Sequence, residues 1–148
     1  MKRKVVAVMV LSILLLVACQ QARAPGIPAP ATGVGKRMAA PGGSYTLITV
    51  SELRGMLQHK DFLFVNVHTP YYGEIEQTDL FIPYDEISKH LDKLPDKGAK
   101  IVVYCRSGNM SNQAVHELVS LGYTNLSDVE GGMIAWEAAG FPLIKSVQ

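Results

Sequence analysis

Cys105 is the residue of this sequence best suited to covalent chemistry, because it stands between an apolar run and a short polar loop. The loop, residues 106–111, contains Gly108, whose missing side chain lets successive backbone N–H groups converge on one point. Amides arranged in this way stabilise a thiolate and any anion it carries, so we expect those of residues 106–111 to surround the sulfur. The competing interpretation is a buried core cysteine. The polar, flexible loop instead favours an accessible, nucleophilic thiol.

The residues around Cys105 predict a strand, then the loop, then a helix. Residues 101–104 are β-branched or aromatic without polar alternation, which is typical of a strand buried on both faces of a parallel sheet. Ser111 is predicted to cap the helix and Gly122 to end it. Between them, apolar residues recur at helical spacing, at Ala114, Val115, Leu118 and Leu121. Cys105 should therefore lie at the carboxyl end of a strand, where α/β folds place ligands, and near a helix amino terminus that favours negative charge.

Two motifs in this part of the chain resemble the rhodanese family of small α/β sulfurtransferases. The active-site loop of that family begins with Cys and is similar to residues 105–111, in the order Cys-Arg-Ser-Gly-Asn-x-Ser. Further along, residues 129–136 and 139–142 resemble the closing strand, glycine pair and final helix of the family. Together the resemblance covers roughly residues 45–143.

The resemblance implies a sulfurtransferase in which Cys105 is the catalytic nucleophile. Its thiolate would attack the outer sulfur of thiosulfate or of a persulfide donor, and a thiol or cyanide would remove that sulfur from the Cys105 persulfide. Arg106 would steer the donor anion. The rest of the loop would line the cradle, namely Ser107, Gly108, Asn109, Met110 and Ser111. Gly131 and Gly132 would form a second layer around the loop, and no cofactor is implied.

The sequence departs from the family pattern in two places. Residues 65–68 are Val-Asn-Val-His, where family members commonly have an Asp-Val-Arg element, so the ion pair of that element is missing. We expect His68 to lie beside the Cys105 loop and to close a structural hydrogen bond; tuning or relaying a proton is the alternative. Met110 stands where relatives that prefer anionic donors often carry a basic or polar residue. This difference favours a persulfide donor over thiosulfate.

Two other functions remain open at this stage. Phosphatases also begin a phosphate-binding loop with Cys, but they need an Arg six positions later, where this chain has Ser111. A tethered module that carries sulfane sulfur with little turnover would use the same residues as the enzyme. A metal site is not predicted, because one cysteine and dispersed histidines give no ligand spacing.

The beginning of the chain predicts an export signal that ends in a lipid-anchored cysteine. Basic residues 2–4 precede an apolar run over residues 5–18 that is too short to span a bilayer comfortably. Residues 16–19, Leu-Val-Ala-Cys, resemble the lipobox of bacterial lipoproteins, with Cys19 as the lipidated residue. Ordinary cleavage after Ala24 is the alternative. We expect a protein on the extracytoplasmic side of the bacterial cell envelope, held to the inner or the outer membrane.

The composition separates a tether from one folded domain. Residues 1–18 are the predicted signal peptide, residues 19–44 carry the anchor and a Pro-, Gly- and Ala-rich tether, and residues 45–148 form the domain. From Tyr45 onward, eight Lys and Arg stand against thirteen Asp and Glu. Such an acidic domain, without clustered basic charge, is not expected to bind nucleic acid. We expect a monomer without disulfides, since the domain has one cysteine.

Strands and helices alternate along the domain. The predicted strands are residues 45–50, 62–67, 80–82, 100–104 and 126–129, and the predicted helices begin at Ser51, cover residues 87–94, begin at Ser111 and surround Trp136. This alternation predicts an α/β fold, an open sandwich with a central, mostly parallel sheet flanked by helices.

Overall fold

The computed structural model describes residues 34–145, which form a six-stranded sheet with helices on both faces. The order across the sheet is β1-β2-β6-β5-β3-β4. The strands are β1 (Lys36–Ala40), β2 (Gly43–Ile48), β3 (Leu63–Asn66), β4 (Leu80–Phe81), β5 (Ile101–Tyr104) and β6 (Leu126–Val129). All pairings are parallel except that of β1 with β2. The predicted open, mostly parallel α/β sandwich is confirmed.

The helices cover the two faces of the sheet with two separate cores. Helix α2 (Asn109–Ser120) and two 3₁₀ segments (Tyr84–Lys89 and Leu91–Lys93) pack on one face, with Val103 and Ile101 of β5 beneath them. Helices α1 (Val50–Leu57) and α3 (Gly132–Ala138) pack on the other, against Val102 and Tyr104. The alternating residues of β5 are thus buried on both sides, as their apolar run predicted.

Several element boundaries differ from those predicted. The first predicted strand ends early, because Thr49 caps α1 through a capping box with Glu52 and Val50 already belongs to the helix. The helix predicted at residues 87–94 is instead the two 3₁₀ segments, which His90 separates. Helix α2 begins before Ser111, since Gly108 is the residue that precedes it, in a left-handed conformation. Gly122, also left-handed, follows its end as expected.

The folded domain begins earlier than predicted. Residues 36–40, assigned to the tether, form β1 and pair in antiparallel register with β2, from Lys36 opposite Leu47 to Ala40 opposite Gly43. The prediction was wrong because the Pro and Gly content of residues 19–44 as a whole hid a short alternation, in which Met38 and Ala40 pack against the core beside α2. The predicted signal peptide, Cys19 and the tether up to residue 33 lie outside the described residues. Within residues 34–145, no helix is long and apolar enough to cross a membrane.

A pair of substitutions in β1 tests whether this strand belongs to the domain. Met38→Glu places a charge against the core and should lower the free energy of unfolding by about 1–2 kcal/mol. Ala39→Glu adds the same charge one residue later, on an exposed position, and should change the free energy of unfolding by less than about 0.5 kcal/mol. Urea denaturation of both variants measures the difference. Equal midpoints for the two would contradict a folded β1.

Candidate active site

Cys105 follows the last residue of β5, at the carboxyl edge of the sheet and on the side that α2 covers. Its residue is 1% exposed, so the expectation of an openly accessible thiol was wrong. The reason is the two-residue period of the strand: Cys105 continues the row of Ile101 and Val103, which faces the core. Cys105 is nevertheless one of the residues that line a cavity of about 290 Å³, and the backbone N–H of Gly108 donates to its Sγ over 3.1 Å.

The loop after Cys105 is held by the first turn of α3. The backbone N–H of Met133 donates to the carbonyl oxygen of Cys105 over 3.0 Å, and that of Ile134 donates to the carbonyl of Arg106 over 2.9 Å. In a trans peptide the N–H points opposite to the C=O, so these bonds turn the amides of Arg106 and Ser107 away from α3. The loop therefore presents donors on the side opposite α3.

Gly132 is what allows α3 to approach the loop so closely. A Cβ atom at Gly132 would lie 2.1 Å from the carbonyl oxygen of Cys105 and 3.0 Å from that of Arg106. Gly132 and Gly131 both have positive φ, +52° and +70°, a conformation that side chains disfavour. Of the glycine pair, Gly132 is the residue in direct contact with the carbonyls of Cys105 and Arg106.

The amino terminus of α2 lies on the far side of the loop. The first backbone bond of the helix runs from the N–H of Asn112 to the carbonyl of Gly108, over 3.0 Å, so the amides of residues 109–111 have no acceptor within the helix. The hydroxyl of Ser111, fully buried, donates to the same carbonyl over 3.1 Å and so braces the turn rather than capping it. Of the predicted cradle amides in the described chain, that of Gly108 makes the contact with sulfur.

The cavity at Cys105 has one charged residue at its rim, Arg106. The residues that line it are His68, Tyr84, Cys105, Arg106, Ser107, Asn109, Met110 and Gln113. The guanidinium carbon of Arg106 lies 5.3 Å from the ring centroid of Tyr72, and the Nζ of Lys145 lies 5.1 Å from the same ring. Both distances suit cation–π attraction. The ring of Tyr72 therefore gathers two cations beside the opening.

Three hydrogen-bonded contacts place Tyr72 at this rim. The side-chain amide of Asn66 donates to the carbonyl of Gly73 over 2.9 Å, and the backbone N–H of Ile75 donates to the buried hydroxyl of Tyr104 over 3.0 Å. Glu74 and Ile144 exchange both backbone bonds, each 2.8 Å, which brings the neighbouring Lys145 alongside. The segment that carries Tyr72 is thus fixed to β3, to β5 and to the end of the described chain.

Comparison with known proteins agrees with this architecture. The family model for the rhodanese-like domain matches residues 49–139, more than half of the chain. A protein named sulfurtransferase from Allochromatium vinosum is 36% identical over 89 residues, which cover 57% of this chain and 80% of that protein. Thiosulfate sulfurtransferase PspE of Escherichia coli is 34% identical over 68 residues, covering 45% of this chain and 65% of that one.

A solved structure gives the same result. A rhodanese-like domain protein from Staphylococcus aureus is 34% identical, with a TM-score of 0.56 over 68% of this chain and 98% of that one. The chain belongs to the rhodanese-like family. Its relatives include named sulfurtransferases, which supports sulfur transfer as the general class of its activity.

Within this rhodanese-like domain, the roles of Asn66 and His68 differ from those predicted. Asn66 is the residue that closes structural hydrogen bonds: besides its bond to Gly73, its side-chain oxygen accepts from the backbone N–H of His68 over 3.0 Å. The His68 ring instead borders the cavity, and its buried Nδ1 has no partner among the described residues. Burial, with Arg106 nearby, lowers the pKa of His68 below its ordinary value. His68 is therefore neutral at pH 7 and able to accept a proton.

Four residues of the site were not singled out from the sequence. Tyr84 and Gln113 line the cavity, and Lys145 lies against the ring of Tyr72, which also contacts Arg106. Asp128, buried in β6, has its pKa raised to about 7, chiefly because burial disfavours its charge. An acidic residue inside a short strand, between Ser127 and Val129, was the available signal for Asp128. For the other three, only the fold brings them together.

Two further observations limit the chemistry of this domain. No group of three or more His, Cys, Asp or Glu side chains able to hold a metal occurs within residues 34–145. The largest surface concavity, about 650 Å³, lies away from Cys105 and contains Lys60, Asp79, Lys100 and Asp61, which form ion pairs with one another. It offers charged pairs but no nucleophile, so the smaller cavity at Cys105 is the candidate active site.

The contact between Gly132 and the loop can be tested with one methyl group. Gly132→Ala should lower the free energy of unfolding by at least about 2 kcal/mol and slow the alkylation of Cys105, because the loop carbonyls must move. Gly55→Ala is the matched control: its Cβ meets nothing within 4 Å, and in the middle of α1 it should stabilise by about 0.5–1 kcal/mol. Thermal unfolding and iodoacetamide labelling measure the two effects. Full stability and normal labelling in Gly132→Ala would rule out the close approach.

Proposed function

We propose that this protein is a sulfurtransferase that moves sulfane sulfur from a small donor to a thiol or cyanide through a persulfide on Cys105. The observation that carries the proposal is the position of the Cys105 sulfur. It accepts a hydrogen bond from the amide of Gly108, and its residue lines a small cavity in which Arg106 is the one charged residue. Thiosulfate and a low-molecular-weight persulfide are the donors this site suits.

In the first half-reaction the Cys105 thiolate attacks the outer sulfur of the donor. A bond forms between Sγ and that sulfur while the donor's own sulfur–sulfur bond breaks. With thiosulfate, sulfite leaves with the electron pair; with a persulfide, a thiolate leaves. In the second half-reaction, cyanide or an acceptor thiolate attacks the outer sulfur, and the Cys105 thiolate leaves with the electron pair. The cycle is electron-balanced and needs no metal.

The polar groups of the loop stabilise the negative charge in both steps. The amide of Gly108 already points at Sγ, and the first-turn amides of α2 at residues 109–111 lack helical acceptors. Donors fixed in advance lower the barrier because they need not reorganise as charge moves. Arg106, held beside Tyr72, attracts an anionic donor to the opening. Neutral His68 supplies a proton acceptor for an incoming thiol at the same cavity.

The burial of Cys105 favours a second candidate, a sulfane-sulfur carrier with little turnover. At 1% exposure the residue is sheltered, so a bulky acceptor has restricted access to an outer sulfur. The carrier and the enzyme share the first half-reaction and differ only in the second. The phosphatase alternative gains no support, because the sixth position after Cys105 is the buried hydroxyl of Ser111 and not an Arg.

For the whole chain we propose attachment to a membrane of the bacterial cell envelope through a lipid on Cys19. The support is sequence alone: the basic and apolar order of residues 2–18 and the lipobox-like residues 16–19. The domain would then act on the extracytoplasmic side, on donors and acceptors available there. Gln20 follows Cys19 at the position where an Asp would resemble an inner-membrane retention signal, so its presence is compatible with the outer membrane.

Mass spectrometry of the full-length chain tests the proposed chemistry. Incubation with thiosulfate should add one sulfur atom to the protein, and Cys105→Ser should abolish the gain because no other thiol lines the cavity. The control is Cys19→Ser, which removes the other cysteine of the sequence and should leave the gain intact. Addition of cyanide then separates the two candidates: thiocyanate formed over many cycles indicates the enzyme, and a stable persulfide indicates the carrier. Phosphate release from an aryl phosphate, without a mass gain, would favour the phosphatase.

The contribution of Tyr72 can be measured with a pair of substitutions. Tyr72→Leu removes the ring beside Arg106 and should raise KM for thiosulfate about two- to fivefold, the worth of one exposed cation–π contact, with kcat little changed. Tyr72→Phe keeps the ring and should retain the normal KM. Steady-state kinetics at low ionic strength measures both. An equal rise in KM for the two variants would assign the effect to the hydroxyl and contradict this role of the ring.

A further inference from the structure

Asp128 is a buried carboxyl that the proposed reaction does not use. It lies on β6, in register with Val103 of β5 on one side and with Leu47 of β2 on the other. Its residue is 2% exposed, and its Oδ1 has no hydrogen-bond partner among residues 34–145. A carboxyl in the centre of a sheet with an unpartnered oxygen is costly to keep. We therefore expect this carboxyl to affect the groups around it.

Asp128 and Cys105 approach the same helix terminus from neighbouring strands. Asp128 is level with Val103, and Cys105 is two residues further along that strand, which separates the two Cα atoms by about 8 Å. Both side chains project from the face that α2 covers, since Leu126 and Val103, two residues before them, belong to the core on that face. Ser111 and Asn112, in the first turn of α2, are the residues whose polar side chains lie next to the carboxyl.

The Asp128 carboxyl changes its charge in a pH range in which cysteine thiols also ionise. Burial raises the pKa of Asp128 to about 7, against the opposing effect of Ser111, Asn112 and the backbone of Val129. Other titratable groups face it from each neighbouring element: Tyr45 from β2, Glu130 from its own strand end, and Cys105 and Arg106 beyond β5. On α2 the nearest such group is His116, whose ring lies against that of Tyr45.

We propose that Asp128 is a positioning residue for the Cys105 loop, whose neutral carboxyl braces the start of α2 and whose ionised form opposes negative charge on the Cys105 sulfur. The inference rests on the proposed function only in that Cys105 is the nucleophile. The positive end of one helix stabilises both anions, and a charge on one side reduces the stabilisation left for the other. Donor anions are disfavoured by the same charge. The reactivity of the Cys105 sulfur should therefore rise less steeply above pH 7 than the reactivity of an isolated thiol.

The test compares Asp128→Asn with the unchanged residue in the full-length chain carrying Cys19→Ser, so that Cys105 is the one thiol. Rates of Cys105 alkylation by iodoacetamide and of sulfur addition from thiosulfate are measured from about pH 6 to about pH 8.5. Asp92→Asn is the matched control, since it removes the same charge from an exposed position. The ratio of the Asp128→Asn rate to the unsubstituted rate should be near one at low pH and rise about three- to tenfold above pH 7. The ratio for Asp92→Asn should stay flat.

The pH dependence of the rate ratio distinguishes an electrostatic role of Asp128 from a purely structural one. A ratio that is the same at every pH with both reagents would overturn the proposal, because a purely structural role has no reason to follow the ionisation of Asp128. If circular dichroism shows that Asp128→Asn is unfolded, Asn112→Ala replaces it. Removing that donor raises the pKa of Asp128 further, so the inflection in the rate profile should move to higher pH, and an unmoved inflection overturns the proposal. Alkylation that follows the prediction without any sulfur addition would support the role of Asp128 and reject the sulfurtransferase.

Discussion

The contact between the first turn of α3 and the carbonyls of the Cys105 loop is the constraint on which the site depends. Two amides of α3 bind the carbonyls of Cys105 and Arg106, and the distance at which they do so leaves no room for a Cβ at Gly132. A loop whose carbonyls are engaged on one side must present its N–H groups on the other. The anion-stabilising side of the loop thus depends on the contact of its opposite side with α3, between residues some 27 positions apart in the chain.

The second organising feature is a separation of charge. Residues 34–145 contain thirteen Asp and Glu against ten Lys and Arg. Nevertheless, Arg106, which lines the Cys105 cavity, and Lys145 both lie against the ring of Tyr72. Local cations matter more than net charge for a small ligand, because interactions across the surface are screened within about 8–10 Å in physiological salt. A small anion can therefore be attracted to a domain whose own net charge is negative.

The sequence predicted the parts of this protein that depend on local pattern. The buried strand, the loop and the following helix around Cys105 are encoded by adjacent residues, and the glycine pair at 131–132 forms a recognisable motif. Features that depend on sheet order were not predictable: Tyr72 meets Lys145 only because Glu74 pairs with Ile144. The burial of Cys105 follows from strand alternation that the polar loop after it concealed. Asn66 was treated as the loss of an ion pair, whereas its amide both donates and accepts and so replaces that pair within a single side chain.

The burial of the Cys105 sulfur also determines which molecules can oxidise it or block it covalently. Peroxide and other reagents the size of a few atoms fit a cavity of about 290 Å³, whereas a folded protein bearing a disulfide does not. Mixed disulfides with large proteins are thereby excluded by shape, and over-oxidation by small oxidants becomes the principal route of inactivation. The depth of this one side chain therefore selects by shape among the thiols that can reach it, in favour of those on small molecules or on protruding segments.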